Sequence, residues 1–357
     1  MKVVVVTKIP SPYQVELFDR LTALGEMELE VLYLRRSDPD RSWRPRQLGH
    51  LVRFMDDTAA DALEPVIDAA DLVVFSWYRD PVVRMLMRRR ARSNRPWCFW
   101  GERPGFTHQG IAGRLFRRAM LWSLYRRKCV PIWGIGQWAV EGYRAEFGSE
   151  RTYFSVPYAS DLQKFFALPL KTLSGHPRVI LFSGTLIERK GIEELCDVIC
   201  DLAKEMPDIL LKVMGDGPLA SSLKDKMRGV RQIQFLGFRD WDELQAAYAE
   251  ADILCAPSRY DGWGLIVLEG MAAGLPVVAS TAMGSAFEAI TVGKTGWTAK
   301  ACDTASLEAA LKKALTMPGD DYSRLSLASR ECARRYDVEN GAAVFYAAAQ
   351  QTVRQWR

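Results

Sequence analysis

Apolar residues recur along this chain in short unbroken runs, and helical patterns lie between the runs. The first run, residues 2–7 (KVVVVT), predicts a buried strand because it is continuous, β-branched and followed by prolines. Residues 11–24 then predict a helix with Ser11 as its N-cap, Pro12 at its first position and Gln14 completing a capping box. Strands that alternate with helices predict a parallel, doubly wound α/β sheet. Further buried strands are predicted at 29–34, 71–77 and 96–102.

The pattern changes near residue 156 and resumes about twenty residues later. Residues 156–177 contain three prolines and no clear period, so we expect a linker there. From residue 178 a second α/β series follows, so we expect two doubly wound domains, at 1–160 and 161–337. The predicted strands of the second series are 178–184, 209–218, 233–238, 252–258 and 275–280, and its predicted helices are 191–206, 241–251 and 264–274.

The composition is that of a globular protein with enough apolar residues for two cores. The chain has 357 residues, 48% of them hydrophobic and 25% charged. Its opening has no signal-peptide cleavage site and no window has the ~18 apolar residues of a spanning helix, so we expect a cytoplasmic protein. Seven scattered cysteines suit that compartment. Cys196 and Cys200 lie one helical turn apart without a second ligand pair, and the chain has three histidines, so we expect no metal site.

Charge is unevenly distributed along the chain. The net charge is +5, but Arg84–Lys128 contains thirteen lysines or arginines and one acid, Glu102. Leucine, methionine, tryptophan and phenylalanine alternate with these arginines. A solvated helix face, a nucleic-acid surface and docking on an anionic membrane are the three explanations. We favour a peripheral membrane surface and expect no nucleic-acid partner, because nothing else resembles a nucleic-acid module.

Four glycine-rich segments follow predicted strands of the second domain. Ligands of open α/β sheets bind at the carboxyl ends of strands, where glycine lets the backbone approach and helix N-termini favour phosphate. Arg189 and Lys190 could neutralise a diphosphate there, or they could be an ordinary solvated pair. The four segments are 183–191 (SGTLIERKG), 214–218 (MGDGP), 258–264 (SRYDGWG) and 280–288 (STAMGSAFE).

Two carboxylates interrupt the apolar segment 256–280. Asp261 precedes a glycine and could be an ordinary turn acid. Glu269 lies among apolar neighbours in the predicted helix 264–274, and a buried carboxylate needs polar partners. Hydroxyl groups of a bound sugar would be suitable partners. Taken together, the glycine segments, cations and acids favour a diphosphate ligand that carries sugars.

The order and spacing of these motifs resemble glycosyltransferase family 4. The family's E-x7-E motif and the strand after it are matched by PSRYDGWGLIVLEGMAAGLPVVAS. Further family segments are similar to SGTLIERKG, GDGP and FEAITVGKTGW. The resemblance is strongest over 178–300. It implies the GT-B fold, with two Rossmann-like doubly wound domains facing across a cleft and a final helix, about 338–357, that crosses back to the first domain. It also implies retaining, metal-independent transfer without a cofactor.

The resemblance implies roles for individual residues. Glu269 would bind the ribose hydroxyls of the donor, Asp261 would hold the donor sugar, and Lys190 with Arg189 would bind the diphosphate. Backbone at Gly262, Trp263, Gly264 and Leu265 would cradle the sugar and phosphate. The base pocket and further donor contacts would involve Gly184, Gly215, Gly217, Phe238, Arg239 and Glu288.

Two positions depart from the family pattern. The first acid of the motif is normally glutamate, and Asp261 is one methylene shorter, which would reposition the sugar or mark a different donor. The glycine loop normally carries an arginine where Thr185 stands, so Arg189 would have to replace it at the diphosphate.

The first domain offers fewer candidates. Residues 99–110 follow a predicted strand, and Glu102 and His108 are candidate acceptor-site groups there, with Glu102 also a candidate catalytic residue. Each has an ordinary explanation, as an ion-paired loop acid and as a surface histidine. Ser11 and Tyr13 could also face the acceptor, although capping already accounts for Ser11.

These features predict a hexosyltransferase of polysaccharide, lipopolysaccharide or glycolipid biosynthesis. It would move a sugar from a nucleotide diphosphate-sugar, with uridine or guanosine as the base, to a glycan or lipid-linked acceptor. Two alternatives stay open. One is a GT-B epimerase or hydrolase that acts on the nucleotide sugar itself. The other is a non-catalytic, glycosyltransferase-like subunit that binds a catalytic partner.

Overall fold

The computed structural model describes residues 1–37, 47–105, 110–170, 173, 178–239 and 243–356. The chain divides into two compact units. The first consists of Met1–Asp161 together with Val338–Arg357, and the second of Leu162–Asp337. Each unit has a parallel sheet with helices around it.

The first unit is built on a seven-stranded parallel sheet, counted over the described residues. Its strands are β1 (Lys2–Thr7), β2 (Glu28–Tyr33), β3 (Leu51–Phe54), β4 (Leu72–Phe75), β5 (Trp97–Gly101), β6 (Ile132–Gly134) and β7 (Tyr153–Ser155). Its helices include α1 (Pro12–Leu24), α2 (Ala60–Ala69), α3 (Pro81–Arg92), α4 (Gly110–Met120), α5 (Trp122–Arg126) and α6 (Gln137–Phe147). The strand order is β3-β2-β1-β4-β5-β6-β7.

The central strands of this sheet are apolar because helices cover both of their faces. β4 and β5 are buried at every residue, and β1 at every residue after Lys2. Strands of that kind show continuous apolar runs rather than alternation. The edge strand β3 has no fully buried residue.

The second unit is built on a six-stranded parallel sheet within the described part of the chain. Its strands are β8 (Arg178–Ser183), β9 (Ile209–Met214), β10 (Ile233–Gly237), β11 (Ile253–Ala256), β12 (Val277–Ser280) and β13 (Gly296–Ala299). Its helices are α7 (Gln163–Phe166), α8 (Ile192–Glu205), α9 (Ala220–Lys226), α10 (Leu244–Glu250), α11 (Leu265–Ala272), α12 (Gly284–Ala289), α13 (Thr304–Leu315) and α14 (Gly319–Ala333). The strand order is β10-β9-β8-β11-β12-β13.

The last helix, α15 (Val338–Arg354), completes the core of the first unit. The Phe345 ring packs edge-on against Trp100 and Trp133, with centroid distances of 5.6 and 5.2 Å. The Trp133 indole Nε1 donates a hydrogen bond to Thr352 Oγ1 at 3.2 Å. These four side chains are fully buried. The first unit is therefore made of two segments of chain.

The doubly wound α/β class predicted for both halves is confirmed, and two local details differ from the prediction. The boundary between the two units falls inside the expected linker at 156–177, but that segment also contains α7 and the buried Leu162 and Phe165. Its residues 171–172 and 174–177 lie outside the described part. Ser11 occupies the N-cap position of α1, yet its side chain makes no capping bond within the described structure. Pro12, with its fixed φ, begins the helix instead.

Cysteines and other metal-ligating residues are dispersed in the fold. Cys196 is buried in the core of the second unit, and Cys200 Sγ lies 3.8 Å from Met227 Sδ. All seven cysteines are free thiols. Over the described ranges, no cluster of three or more His, Cys, Asp or Glu side chains is placed to hold a metal ion. A helix long and apolar enough to span a bilayer is likewise not found in those ranges.

Candidate active site

The order in which the chain adds strands to the sheet of the second unit reverses between β8 and β11. These two strands pair in parallel. The chain proceeds from β8 to β9 and β10 on one side, and from β11 to β12 and β13 on the other. The loops after β8 and β11 therefore lead to opposite sides. Such a divergence leaves a crevice at the carboxyl edge, where ligands of open α/β sheets bind. The predicted donor residues lie in the loops at this edge and in the helices that follow them.

Three turns at this edge pack backbone against backbone. The Gly184 N–H donates to Met214 O at 3.0 Å, and the Gly215 N–H donates to Gly237 O at 2.9 Å. Gly215 has a φ of +140°, and a Cβ there would lie 1.9 Å from the Gly184 carbonyl oxygen. A Cβ on Gly217 would lie 2.7 Å from another carbonyl of the neighbouring turn. The turns therefore require glycine, and they bring the predicted Gly184, Gly215 and Gly217 together.

Lys190 and Arg189 lie in a short 3-10 turn between β8 and α8. Gly191 follows with a φ of +69°, and a Cβ there would lie 2.3 Å from the Pro257 carbonyl oxygen. This close approach holds the turn against the loop after β11. Arg189 Nη1 also donates to Tyr260 O at 2.7 Å. Both cations are thus fixed beside the loop that carries the first acid.

Asp261 is the shared partner of the two cations. Lys190 Nζ donates to Asp261 Oδ2 at 2.5 Å, and Arg189 Nη1 lies 3.6 Å from the same oxygen. All three side chains are mostly buried. Burial alone would raise the pKa of Asp261, but Lys190 and then Arg189 outweigh it and hold that pKa below its usual value. The carboxylate is therefore ionised at neutral pH.

Backbone hydrogen bonds fix the loop around Asp261. The Asp261 N–H donates to Ala282 O at 2.9 Å, and the Gly284 N–H donates to Asp261 O at 3.2 Å. These bonds join the loop after β11 to the loop after β12. The Trp263 N–H lies 3.4 Å from Asp261 Oδ1. Both carboxylate oxygens are therefore held by the protein.

The start of α11 follows this loop directly. Gly264 has a φ of +86°, and Leu265 is the first helical residue. The Ser285 hydroxyl lies 2.7 Å from both Trp263 O and Gly264 O. Gly262 and Trp263 are buried, whereas Gly264 and Leu265 are half-buried. The first turn of α11 therefore presents its N–H groups at the carboxyl edge of the sheet.

Glu269 lies on α11 and is oriented by Tyr248. Glu269 Oε2 accepts a hydrogen bond from the Tyr248 hydroxyl at 2.7 Å. The same hydroxyl contacts Ser183, the last residue of β8. Burial and then the Glu269 carboxylate raise the pKa of Tyr248, so the hydroxyl stays protonated. Tyr248 holds Glu269 near the end of β8, and a tyrosine in an amphipathic helix carries no motif that would predict this.

Glu288 belongs to the packing around Trp263. It lies on α12 and hydrogen-bonds the Tyr336 side chain, whose ring lies 5.8 Å from the Trp263 ring. Burial and then Glu288 raise the pKa of Tyr336. The Trp263 Nε1 is buried and has no hydrogen-bond partner among the described residues. A role for Glu288 in direct donor contact stays a prediction.

Phe238 and Arg239 follow β10 and are exposed. Arg239 Nη1 lies 3.3 Å from Glu243 Oε1. Gly237, just before them, accepts the hydrogen bond from Gly215, so both residues lie next to the glycine turns. An exposed aromatic ring at this position is suited to stack against a nucleotide base.

In the first unit, Glu102 and Tyr13 lie close to Tyr158. The Tyr13 and Tyr158 rings are 4.7 Å apart. Burial, then Tyr13 and Glu102, raise the pKa of Tyr158, so the Glu102 carboxylate lies near this pair. Glu102 is exposed and follows β5, whereas Ser11 is buried next to α1. His108 lies outside the described residues.

The carboxyl edge of the second unit thus combines two chemistries. Lys190, Arg189 and the start of α11 suit an anionic ligand. Asp261 and Glu269 suit hydroxyl groups, since carboxylates accept hydrogen bonds from them. Glu102 belongs to the other unit.

Comparison with known proteins identifies the second unit more closely. Residues 169–331 match the family model described as glycosyl transferases group 1. A glycogen synthase of Mycobacterium tuberculosis is 32% identical over 185 residues, which cover 50% of this chain and 44% of that protein. A phosphatidyl-myo-inositol mannosyltransferase of Mycobacterium leprae is 35% identical over 171 residues, covering 46% and 45%. The matched region spans less than half the length of these relatives.

A solved structure extends the likeness to both units. Anabaena Alr3699/HepE in complex with UDP superposes with a TM-score of 0.78 at 16% identity, covering 98% of this chain and 100% of that one. At that level of identity the likeness shows the fold, and the predicted GT-B fold is confirmed. Residues 169–331 are thus similar to the glycosyl transferases group 1 family, and along its length the chain has the GT-B fold.

Proposed function

We propose that the chain catalyses retaining, metal-independent transfer of a sugar from a nucleotide diphosphate-sugar to a glycan or lipid-linked acceptor. The cluster of Lys190, Arg189 and Asp261 at the sheet switch point supports this most directly. Glu269, oriented by Tyr248, supplies a second carboxylate on the helix that follows. Two cations and two carboxylates match a ligand with a diphosphate and sugar hydroxyls.

Lys190 and Arg189 would stabilise the charge of the leaving diphosphate. Both cations contact Asp261 in this structure. A diphosphate at the start of α11 would attract them, and Asp261 would then accept hydrogen bonds from the donor sugar. Cations and a helix N-terminus aimed at developing negative charge can do the work of a divalent metal ion. The proposal therefore needs no metal.

The proposed reaction keeps the anomeric configuration. The acceptor hydroxyl attacks the anomeric carbon from the face that the diphosphate leaves. The bond to the diphosphate oxygen breaks as the bond to the acceptor oxygen forms, and a leaving phosphate oxygen accepts the proton of the hydroxyl. Glu102 is proposed as an acceptor-side group in the first unit.

The names of similar proteins support a polymeric or lipid acceptor. One relative is called a glycogen synthase and another a phosphatidyl-myo-inositol mannosyltransferase. Solved structures of HepE contain UDP and UDP-glucose. We infer a cytoplasmic role in polysaccharide, lipopolysaccharide or glycolipid biosynthesis, with an anionic membrane surface as a partner of the first unit. Uridine diphosphate sugars are the first donors to test, and guanosine diphosphate sugars the second.

Nucleotide-sugar binding tests the proposal. UDP, GDP and their sugar conjugates are added, and the unfolding temperature is followed, since a ligand of the folded state raises it. Glu269→Gln should bind the preferred donor about tenfold more weakly and lose most transfer activity, because a charged hydrogen-bond acceptor is removed. Glu308→Gln, at a half-buried glutamate of α13, is the matched control and should behave like the unmodified protein. Unchanged donor binding and rate in Glu269→Gln would contradict the proposal.

The two alternatives give different results in the same experiments. Rapid consumption of the donor without any acceptor would indicate an epimerase or hydrolase. A folded protein that responds to no nucleotide would indicate a non-catalytic subunit, in which the departures at Asp261 and Thr185 have removed donor binding.

A further inference from the structure

Helix α4 carries its large apolar side chains on the outside of the first unit. Ile111 is 78% exposed, Leu115 60% and Phe116 37%. Trp122, at the start of α5, is 50% exposed. At 3.6 residues per turn, these three exposed side chains of α4 occupy an arc of about 140°. Leaving such an arc in water is unfavourable, so the protein needs something to cover it.

A buried ion pair attaches α4 to the unit. The buried residues of α4 are Gly113 and Arg117. Arg117 forms an ion pair with Glu146 of α6, with Nε to Oε1 at 2.9 Å and Nη2 to Oε2 at 2.8 Å. The Tyr125 hydroxyl donates to the same carboxylate at 2.9 Å. An ordinary surface helix turns its apolar stripe to the core. Here that orientation is reversed.

Arginines border the apolar arc. Arg114 and Arg118 are exposed on α4, and Arg126 is exposed on α5. The Arg126 guanidinium lies 5.9 Å from the centre of the Trp122 ring. Residues 110–128 contain six basic residues and no acid. Exposed aliphatic and tryptophan side chains beside arginines are typical of helices that lie in the interface of an anionic bilayer.

Two other arginines of the predicted basic surface, 84–128, are engaged in contacts within the first unit. Arg90 is buried and donates to backbone carbonyls, among them Ile67 O at 2.8 Å. Arg89 forms a bidentate contact with Asp68. Among the described residues of 84–128, the exposed large apolar side chains lie on α4 and α5, so the proposed docking surface centres there.

We propose that the first unit docks on an anionic lipid bilayer through the α4–α5 surface, defined by Ile111, Leu115, Phe116, Trp122, Arg114 and Arg118. The apolar side chains enter the interfacial layer, and the arginines bind lipid phosphates. The lack of acids over 110–128 favours a bilayer over a protein partner, whose charges are mixed. This inference deepens the proposed function, for which a lipid-linked acceptor would lie in that bilayer.

Vesicle sedimentation at low salt tests the docking surface. The full chain is mixed with vesicles of phosphatidylcholine alone, or with about one third phosphatidylglycerol. We expect sedimentation with the anionic vesicles only. Leu115→Gln should weaken binding about tenfold and Arg118→Gln about fivefold, because each removes one interfacial group. Leu327→Gln and Arg231→Gln change an exposed leucine and an exposed arginine of the second unit, and should bind like the unmodified protein.

Three results would overturn the docking surface. The first is equal binding to neutral and anionic vesicles, and the second is unchanged binding in Leu115→Gln and Arg118→Gln. The third is that the unmodified protein binds no vesicles and forms a dimer, which Leu115→Gln dissociates. The nucleotide thermal shift of each variant separates this inference from the proposed function. A variant that loses vesicle binding but keeps the nucleotide thermal shift supports docking through this surface. Vesicle binding without any nucleotide shift in the unmodified protein keeps the docking surface and rejects the transferase.

Discussion

At the scale of single residues, the site depends on how Asp261 and Lys190 tolerate burial together. Each charge compensates the other's loss of water, and removing one would leave the other buried and unpaired. Arg189 lies beside this pair. In that position it would replace the arginine that the family carries where Thr185 stands. The shorter aspartate still reaches Lys190 at 2.5 Å. The departure from glutamate therefore preserves contact with the cation. Under the proposed function, its effect would fall on the donor sugar.

Asp261→Asn should lower the free energy of unfolding by about 2 kcal/mol at pH 7, because Lys190 loses its charged acceptor. The pKa of Asp261 is lowered in the folded state from an ordinary value of 3.8. The ionised carboxylate therefore stabilises the fold above that value, and its contribution is lost as the pH falls below it. Urea titrations of both proteins should show the difference shrinking in acid. Asp320→Asn, at an exposed position of α14, should have little effect at either pH, and a pH-independent deficit in Asp261→Asn would refute the electrostatic account.

At the scale of elements, the carboxyl edge of the sheet in the second unit is formed by turns that approach one another more closely than side chains would permit. The turn after β9 lies against the turn after β8 through Gly215 and Gly184, and it is hydrogen-bonded to the end of β10. Three adjacent strand ends are thereby locked in register. Any ligand bound over them rests on backbone rather than on mobile side chains.

Gly215→Ala should destabilise the protein by about 3 kcal/mol or more and weaken nucleotide binding, since its Cβ would overlap a backbone oxygen. Gly229→Ala is the matched control. Gly229 also has a positive φ, +84°, but a Cβ there meets nothing within 4 Å. It should cost only about 1 kcal/mol of backbone strain. Chemical denaturation and nucleotide titration of both variants measure the difference, and equal losses would show that strain, not packing, governs Gly215.

The sequence predicted elements well where burial leaves a simple pattern. β1, β4 and β5 are buried on both faces, so each is an apolar run. β6 and β7 have three residues each and β3 lies at an edge, so none produces such a run. The sequence did not predict α7 within the expected linker at 156–177. Prolines and a weak period do not reveal which residues become buried by tertiary packing.

The candidate site was predictable to the extent that its residues carry motifs. The acids, cations and glycines lie in loops and in the helical turns that follow them, and their spacing along the chain indicates a ligand. Tyr248 orients Glu269 from another helix, and that contact depends on packing that no local pattern encodes. The orientation of α4 is hidden for a related reason. An amphipathic sequence shows that a helix has two faces but does not show which face contacts the protein.

At the scale of the whole molecule, the first unit is discontinuous. Its sheet is formed by residues before 162, and its core is completed by α15, after the entire second unit. Phe345 contributes to that core by packing against two tryptophans. The stability of the first unit therefore depends on residues as far as Thr352, which lies 219 positions along the chain from Trp133 of β6.

Phe345→Ala should lower the free energy of unfolding by about 3–5 kcal/mol, because it removes a fully buried ring from between two tryptophans. Tryptophan fluorescence during urea unfolding should report the change, since Trp100 and Trp133 line the site of substitution. Val344→Ala, at a partly exposed position of the same helix, is the control and should change stability by about 1 kcal/mol or less. Equal effects of the two substitutions would show that α15 contributes little to the core.

The place of α15 in the chain also affects the order in which a ribosome can produce folded structure. Domains of a growing chain usually fold from the N-terminus onward. Here the second unit is fully synthesised before Phe345 and Thr352 exist, so it can fold first, while the earlier-made unit waits with Trp100 and Trp133 uncovered. That waiting interval is when the nascent chain is most exposed to aggregation and to capture by chaperones.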